Sequence, residues 1–171
     1  METWDAIRSR RNVREFADRP IADADLERIL EAARRSPSSQ NTQPWDLIVV
    51  TDRSQLQALA APWPNAAHVA SSAATIALIA PAPASERQAQ SIRFDHGQLT
   101  MILMIAAADL GIGAAHAGVG DSDRARDLLG FPDNRVCNLL IALGYPAHRP
   151  LAPVSKPARR PLDEIVHRGR W

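Results

Sequence analysis

The chain predicts an α+β layered domain, and three observations carry that expectation. Four short apolar runs are interleaved with stretches of helical periodicity, so strands and helices are mixed along one chain. The spacers between those runs do not fall into regular βαβ units, which argues against a doubly wound parallel sheet. One stretch, 91–110, reads as a long helix whose second half is apolar nearly all round, which suits the centre of a molecule or a large interface. With 171 residues, no internal repeat and no break in composition, a single domain spanning 1–171 is expected.

Taken in order, the first helix is short, over Thr3–Ser9. The second is capped by Asp23, carries Leu26, Ile29, Leu30 and Ala33 on one face, and ends at Pro37. Arg34 and Arg35 suit the dipole at its C-terminus. Ser36 to Pro44 is a polar loop entering the strand 45–50, which is aromatic and β-branched. A helix over 53–61 is broken by Pro62-Trp63-Pro64-Asn65, and 74–80 is a second strand closed by Pro81 and Pro83. The long helix 91–110 stops at Gly111. Strand 113–119, a short helix 122–129 ended by Gly130, and strand 136–143 complete the body. From Ala147 to Trp171 the chain is rich in Pro and Arg, with one helical turn near 161–167 and little apolar periodicity. It reads as an arm that packs on something, such as a partner subunit; the alternative is a loose solvated tail.

A net charge of +1 provides no broad basic field, so nucleic acid is not the expected partner. No apolar run is long enough to span a bilayer, and the N-terminal residues lack the pattern of a secretory signal, so a cytoplasmic setting is expected. The lone Cys137 sits in an apolar run and reads as a buried hydrophobe rather than a reactive thiol. His68, His96, His116, His148 and His167 are scattered without metal-ligand spacing. His96, on the long helix, reads as a packed or interface histidine. Trp63, between two prolines, is either core packing, a surface aromatic or a stacking platform.

Against this neutral background, Arg8, Arg10, Arg11 and Arg14 fall within seven positions where the first helix gives way to a loop. A local cationic cluster suits a compact dianion such as a phosphate monoester, because guanidinium forks match phosphate oxygens bidentately. A solvated polar turn is the competing reading. The arm returns a second set of cations: Lys156, Arg159, Arg160, Arg168 and Arg170.

Several segments, in order over the whole chain, resemble the FMN-dependent nitroreductase family. They are Ile7 to Phe16, with its Arg-Arg pair; Ser36-Pro37-Ser38-Ser39-Gln40-Asn41-Thr42-Gln43-Pro44-Trp45; Asp95, placed at the start of the long helix; Leu110-Gly111-Ile112-Gly113; Leu140 to Pro146; and Arg159-Arg160-Pro161-Leu162. The resemblance implies a three-layer α/β/α fold with a mostly antiparallel sheet, in an obligate homodimer whose 147–171 arm packs on the partner subunit. It implies an enzyme that uses NAD(P)H to reduce a small electron-poor acceptor, a nitroaromatic or quinone, by ping-pong hydride transfer through N5 of bound FMN. No catalytic side chain and no metal is implied, because the flavin carries the chemistry. Arg10 and Arg14 would meet the FMN phosphate end from one side, with Arg11 and Asn12 in support, and Arg159 and Arg160 from the other. Asn12 stands where the family usually has Ser. Pro37, Ser38 and Ser39 of one chain and Asn41 of the other would border the ring, and Ala117-Gly118 would bring backbone close to N5. Two other classes of function compete: a protein that holds a flavin or deazaflavin without turnover, and a helical interaction protein docking through 99–108.

Overall fold

The computed structural model describes residues 1–171 as one α+β body with an extended arm. Its centre is a four-stranded sheet of β1 (Asp46–Val50), β2 (Ala74–Pro81), β3 (Gly113–Gly118) and β4 (Arg135–Gly144), in the order β1-β2-β4-β3. Every neighbouring pair is antiparallel, with a register shift between Leu78 and Ile79 opposite β4. The helices are α1 (Thr3–Ser9), α2 (Asp23–Arg34), α3 (Arg53–Ala60), α4 (Glu86–Asp109) and α5 (Ser122–Leu129).

The two central strands explain why their sequences are apolar without a break. Alternate residues point to opposite faces of a sheet, and both faces are covered here. Ile76, Leu78, Ile141 and Leu143 meet Ile29 and Ala33 of α2 and Leu99, Leu103 and Met104 of α4. Ala77, Ile79, Leu140 and Ala142 face the opposite way, onto Leu56 and Leu59 of α3, Val69 and Ala125. The result is three layers, with α2 and α4 on one side and α3, α5 and a 3₁₀ helix (Pro64–Ser71) on the other. Trp63 is 8% exposed within the second cluster, so it is core and not a stacking platform.

Some boundaries differ from expectation, each for a local reason. Helix α4 begins at Glu86, so Asp95 lies in its interior rather than at its start. Its true start is a reciprocal cap: Ser85 accepts from the Gln88 amide at 3.2 Å, and Gln88 Oε1 accepts from the Ala84 amide at 2.7 Å. Asp23 is the first residue of α2 and makes no side-chain cap; Ala22 occupies the cap position. Arg34 and Arg35 do not reach for the helix end but both clasp Glu31, at 2.7 Å each. Gly111 and Gly130 end their helices at φ +74° and +72°, as the sequence suggested.

Cys137 is 2% exposed, and burial pushes its thiol up to about 12. The native chain is therefore expected to resist a disulfide reagent at mildly alkaline pH, while the urea-unfolded chain reacts at once. Equal rates in the two states would contradict the burial. No helix is long and apolar enough to cross a membrane.

Candidate functional site

The arginine segment is built onto the sheet by two backbone contacts. Asn12 forms a parallel bridge to Ala114 of β3, with the Val13 amide donating to the Ala114 carbonyl at 3.0 Å. Phe16 pairs with Pro146 just past β4, and the Ala17 amide donates to Tyr145 at 2.8 Å. Val13 and Phe16 are buried by this docking, while Asn12 and Arg14 stay exposed. Two glycines make room for it. A Cβ on Gly113 would lie 2.7 Å from Val13 Cβ, and one on Gly144 would lie 2.7 Å from Phe16 Cδ1.

Within this segment the arginines divide. Arg8 pairs with Asp5 at 3.3 Å on the helix surface. Arg11 donates to the carbonyls of Arg149 and, at 3.4 Å, Pro150, so it clasps the base of the arm. Its pKa is lowered by burial and by the neighbouring Arg149 charge. Arg10, at the C-terminal cap of α1, and Arg14 form no ion pair. They are the free cations of the cluster.

Arg14 lines a cavity of about 450 Å³ with Pro64, Asn65, Ala67, His68 and Ser71. Asn65 and His68, three apart on the 3₁₀ helix, were not among the expected residues; a polar pair at that spacing shares one face of such a helix, but here it lies behind a breaker motif that masks it. Asn65 Nδ2 donates to the Gly118 carbonyl at 3.0 Å, which ties the cavity to the end of β3. Gly118 is exposed, and a Cβ there would meet nothing within 4 Å. The chain's own packing does not require glycine at that point, and the backbone there is open. Ala117 is buried in the core, and only its backbone could contribute.

His68 is 7% exposed, and its Nε2 has no partner. Burial lowers its pKa, with Arg14 and His116 adding to the effect and the backbone at Ala115 opposing it. His96 is also lowered by burial, against smaller opposing effects of the Pro44 carbonyl and Asp95. Both therefore favour the neutral ring in the fold, while the unfolded chain protonates near the ordinary value of 6.5. Stability from this source is complete above that value and is lost as pH falls below it. The urea midpoint is expected to be flat above about pH 7 and to fall as the pH drops below about 6.5. A midpoint that holds constant over that window would show that neither histidine is buried neutral.

The serine-rich loop lies elsewhere on the chain. Ser39–Asn41 form a 3₁₀ turn in which the Asn41 amide donates to Ser38 O at 3.0 Å. It borders a polar cavity of about 700 Å³ with Trp45, Ser85, Arg87, Ser91 and Asp95. Because Ser38, Ser39 and Asn41 share one turn, a single copy presents them together. Gln40, Asn41 and Gln43 sit at φ 52°, 56° and 48°. Left-handed backbone costs a non-glycine residue about 1–2 kcal/mol, so the loop is strained.

Arg159 and Arg160 lie on the exposed arm, away from the arginine segment. Arg159 donates to its neighbour Ala158 O at 2.7 Å, and Arg160 to Glu164. Between 152 and 171 the backbone is tied to the body by the Val154 amide donating to Arg8 O at 3.2 Å. One chain thus holds three groups: Arg14 with Asn65 and His68 at a cavity tied to Gly118, and Arg10 earlier in the same segment; the 37–41 turn; and the arm cations.

Comparison with known proteins gives these groups a context. The model of the nitroreductase family matches residues 7–70 and 56–145. A protein of Archaeoglobus fulgidus, provisionally named NADH dehydrogenase/NAD(P)H nitroreductase, is 32% identical over 169 residues, covering 96% of each chain. The NADPH-flavin oxidoreductase of Vibrio harveyi is 26% identical over 182 residues, covering 99% of this chain and 74% of that one. An FMN-dependent nitroreductase structure from Clostridium difficile superposes with TM-score 0.84 at 21% identity, over 97% of this chain and 98% of the other. At that identity the likeness is one of fold.

Proposed function

Because the chain belongs to the nitroreductase family, we propose that it is an FMN-dependent enzyme that uses NAD(P)H to reduce a small electron-poor acceptor such as a nitroaromatic or quinone. The observation that carries this reading is the unpaired Arg14 in a cavity that Asn65 ties to the open backbone of Gly118, with Arg10, also unpaired, four residues earlier in the same segment. The residues suit FMN: two free cations for a phosphate dianion, an unpartnered buried His68 Nε2, and a glycine whose missing Cβ leaves space. Bound FMN supplies hydride transfer at N5, taken from the nicotinamide and delivered in turn to the acceptor.

The chain's own residues bind and orient. Arg10 and Arg14 hold the phosphate end, with Asn12 beside them and Arg11 keeping the arm's base in register. Asn65 and His68 offer polar atoms to the ring edge at the cavity floor. The Ala117-Gly118 backbone allows close approach.

Pro37, Ser38, Ser39 and Asn41 come from a second copy, as do Arg159 and Arg160 on its arm. Two facts support a homodimer. Trp4, Ile7, Phe94 and Met101 are 66%, 43%, 67% and 43% exposed on the paired helices α1 and α4, a large apolar face to leave in water. The arm, 147–171, likewise exposes Val154, Leu162, Ile165, Val166 and Trp171. It packs on the partner subunit in this reading, and a cytoplasmic setting agrees with one buried, unpaired cysteine.

The visible absorption of purified protein, followed by anaerobic titration with NADH and NADPH, tests the proposal. Bleaching by one nicotinamide and recovery on adding a quinone or nitroaromatic are expected. Stoichiometric flavin that neither nicotinamide reduces would instead support storage of a flavin without turnover.

A further inference from the structure

The strained loop needs a holder, because its own sequence does not favour its conformation. Asparagine tolerates left-handed backbone through local hydrogen bonds, but Gln40 and Gln43 have no such excuse. Within the loop, Ser38 Oγ accepts from the Gln43 amide at 2.9 Å and Thr42 Oγ1 donates to Ser39 O at 2.9 Å. These bonds close the turn but do not attach it to the body.

The attachment comes from three residues of α4, chiefly the consecutive Asp95 and His96. Asp95 is 1% exposed, and both of its carboxylate oxygens accept from the Ser39 amide, at 3.1 Å each. Oδ1 also accepts from Ser39 Oγ and from Gln98 Nε2, each at 3.4 Å. Ser91, one turn earlier, donates to Ser39 Oγ at 3.1 Å. His96 takes the other end of the loop, with Nε2 at 3.0 Å from the Pro44 carbonyl. A carbonyl can only accept, so Nε2–H is the donor.

No cation forms an ion pair with Asp95. A buried carboxylate left without one is an expensive way to fill space, and an apolar residue would serve packing better. What a carboxylate does that an apolar residue cannot is fix a backbone N–H by charge-assisted bonds.

We propose that Asp95 is a positioning residue: it pins the strained 38–43 turn to α4 and so sets the orientation in which one copy presents Ser38, Ser39 and Asn41 to the flavin of the other. The role rests on the shared-site reading above. Asparagine at 95 keeps the volume and one acceptor oxygen but loses the charge and puts an NH₂ where the second acceptor oxygen stood.

Two measurements on Asp95→Asn decide the matter. In the flavin-free chain, hydrogen exchange at the Ser39 amide should quicken while the melting temperature stays near the parent's. Exchange as slow as in the parent overturns the tether. In the loaded protein, FMN affinity should drop by about tenfold or more, the effect of losing one charge-assisted contact.

Mixed dimers of Asp95→Asn and Arg10→Ala chains then separate positioning from general damage. In a two-fold dimer the Asp95→Asn chain supplies an intact arginine segment, and the Arg10→Ala chain supplies an intact turn. One of the two sites is therefore whole, and the mixed dimer should bind one FMN with parental affinity although neither homodimer does. A mixed dimer with no tight site, or unchanged FMN affinity in Asp95→Asn, overturns the role. A parent chain that takes up no FMN fails earlier and removes the shared-site reading itself.

Discussion

Replacing Arg10 with alanine is expected to weaken FMN binding by about 1.5–3 kcal/mol, roughly tenfold to a hundredfold. The magnitude is that of a hydrogen bond to a charged group, and the structure makes this position a clean test. Arg10 forms no ion pair, so its removal orphans no internal carboxylate. Its backbone, which caps α1 through an amide donating to Ala6 O at 3.0 Å, is unaffected by the side chain. Folding stability should stay near the parent's while flavin affinity drops. Arg160→Ala should weaken binding to the same degree, but it also frees Glu164, so arm order must be checked alongside. Raising the salt concentration should reduce affinity in the parent more than in either variant, because screening acts on the charges that the variants lack. Parental affinity in both variants would remove the phosphate assignment from these residues.

How much of the fold and of the site is legible in the sequence differs from one element to the next. Elements with a clear apolar period and a local stop, Pro37 beyond α2 and Gly130 after α5, are readable because burial and chain breaks act over a few residues. The start of α4 was missed because its first two turns are polar, leaving only the Ser85/Gln88 cap to mark it. The arginine cluster is visible in the sequence, and the resemblance sets Arg10 and Arg14 apart from Arg11, but what Arg11 holds is not legible there. Whether Arg11 faces a ligand or the carbonyls of Arg149 and Pro150 depends on where a segment some 140 residues later returns. Asn65 reads locally as part of a proline break and His68 as one of several scattered histidines; only the fold brings Asn65 to Gly118. Asp95 was noticed as part of a resemblance, yet its work is a contact across 56 positions that no local pattern encodes.

Gly113→Ala and Gly144→Ala are each expected to cost about 1–3 kcal/mol of stability, the usual penalty for forcing a methyl group into a packed site. At this chain length each kcal/mol is worth about 2–4 °C in melting temperature. The two glycines differ in what they press against. At Gly113 the obstruction includes Val13 Cβ itself at 2.7 Å, an atom next to the backbone, so rotamer change cannot relieve it. The strand and the arginine segment must part, and with them the Val13–Ala114 hydrogen bond. FMN affinity should fall together with stability, although neither glycine touches a ligand. At Gly144 the close atoms are Phe16 Cδ1 at 2.7 Å and Cγ at 2.9 Å, with Cβ at 3.1 Å, so most of the clash lies in a ring that can be trimmed. Phe16→Ala is destabilising alone, since it empties a core position, but combined with Gly144→Ala it should cost less than the sum of the two changes. Val13→Ala should rescue Gly113→Ala only in part, because the Cβ contact survives. Urea midpoints at matched protein concentration read all of these terms. Additive penalties in the Phe16/Gly144 pair would mean that the glycine is tolerated rather than required, and that the arginine segment is held by something other than this close approach.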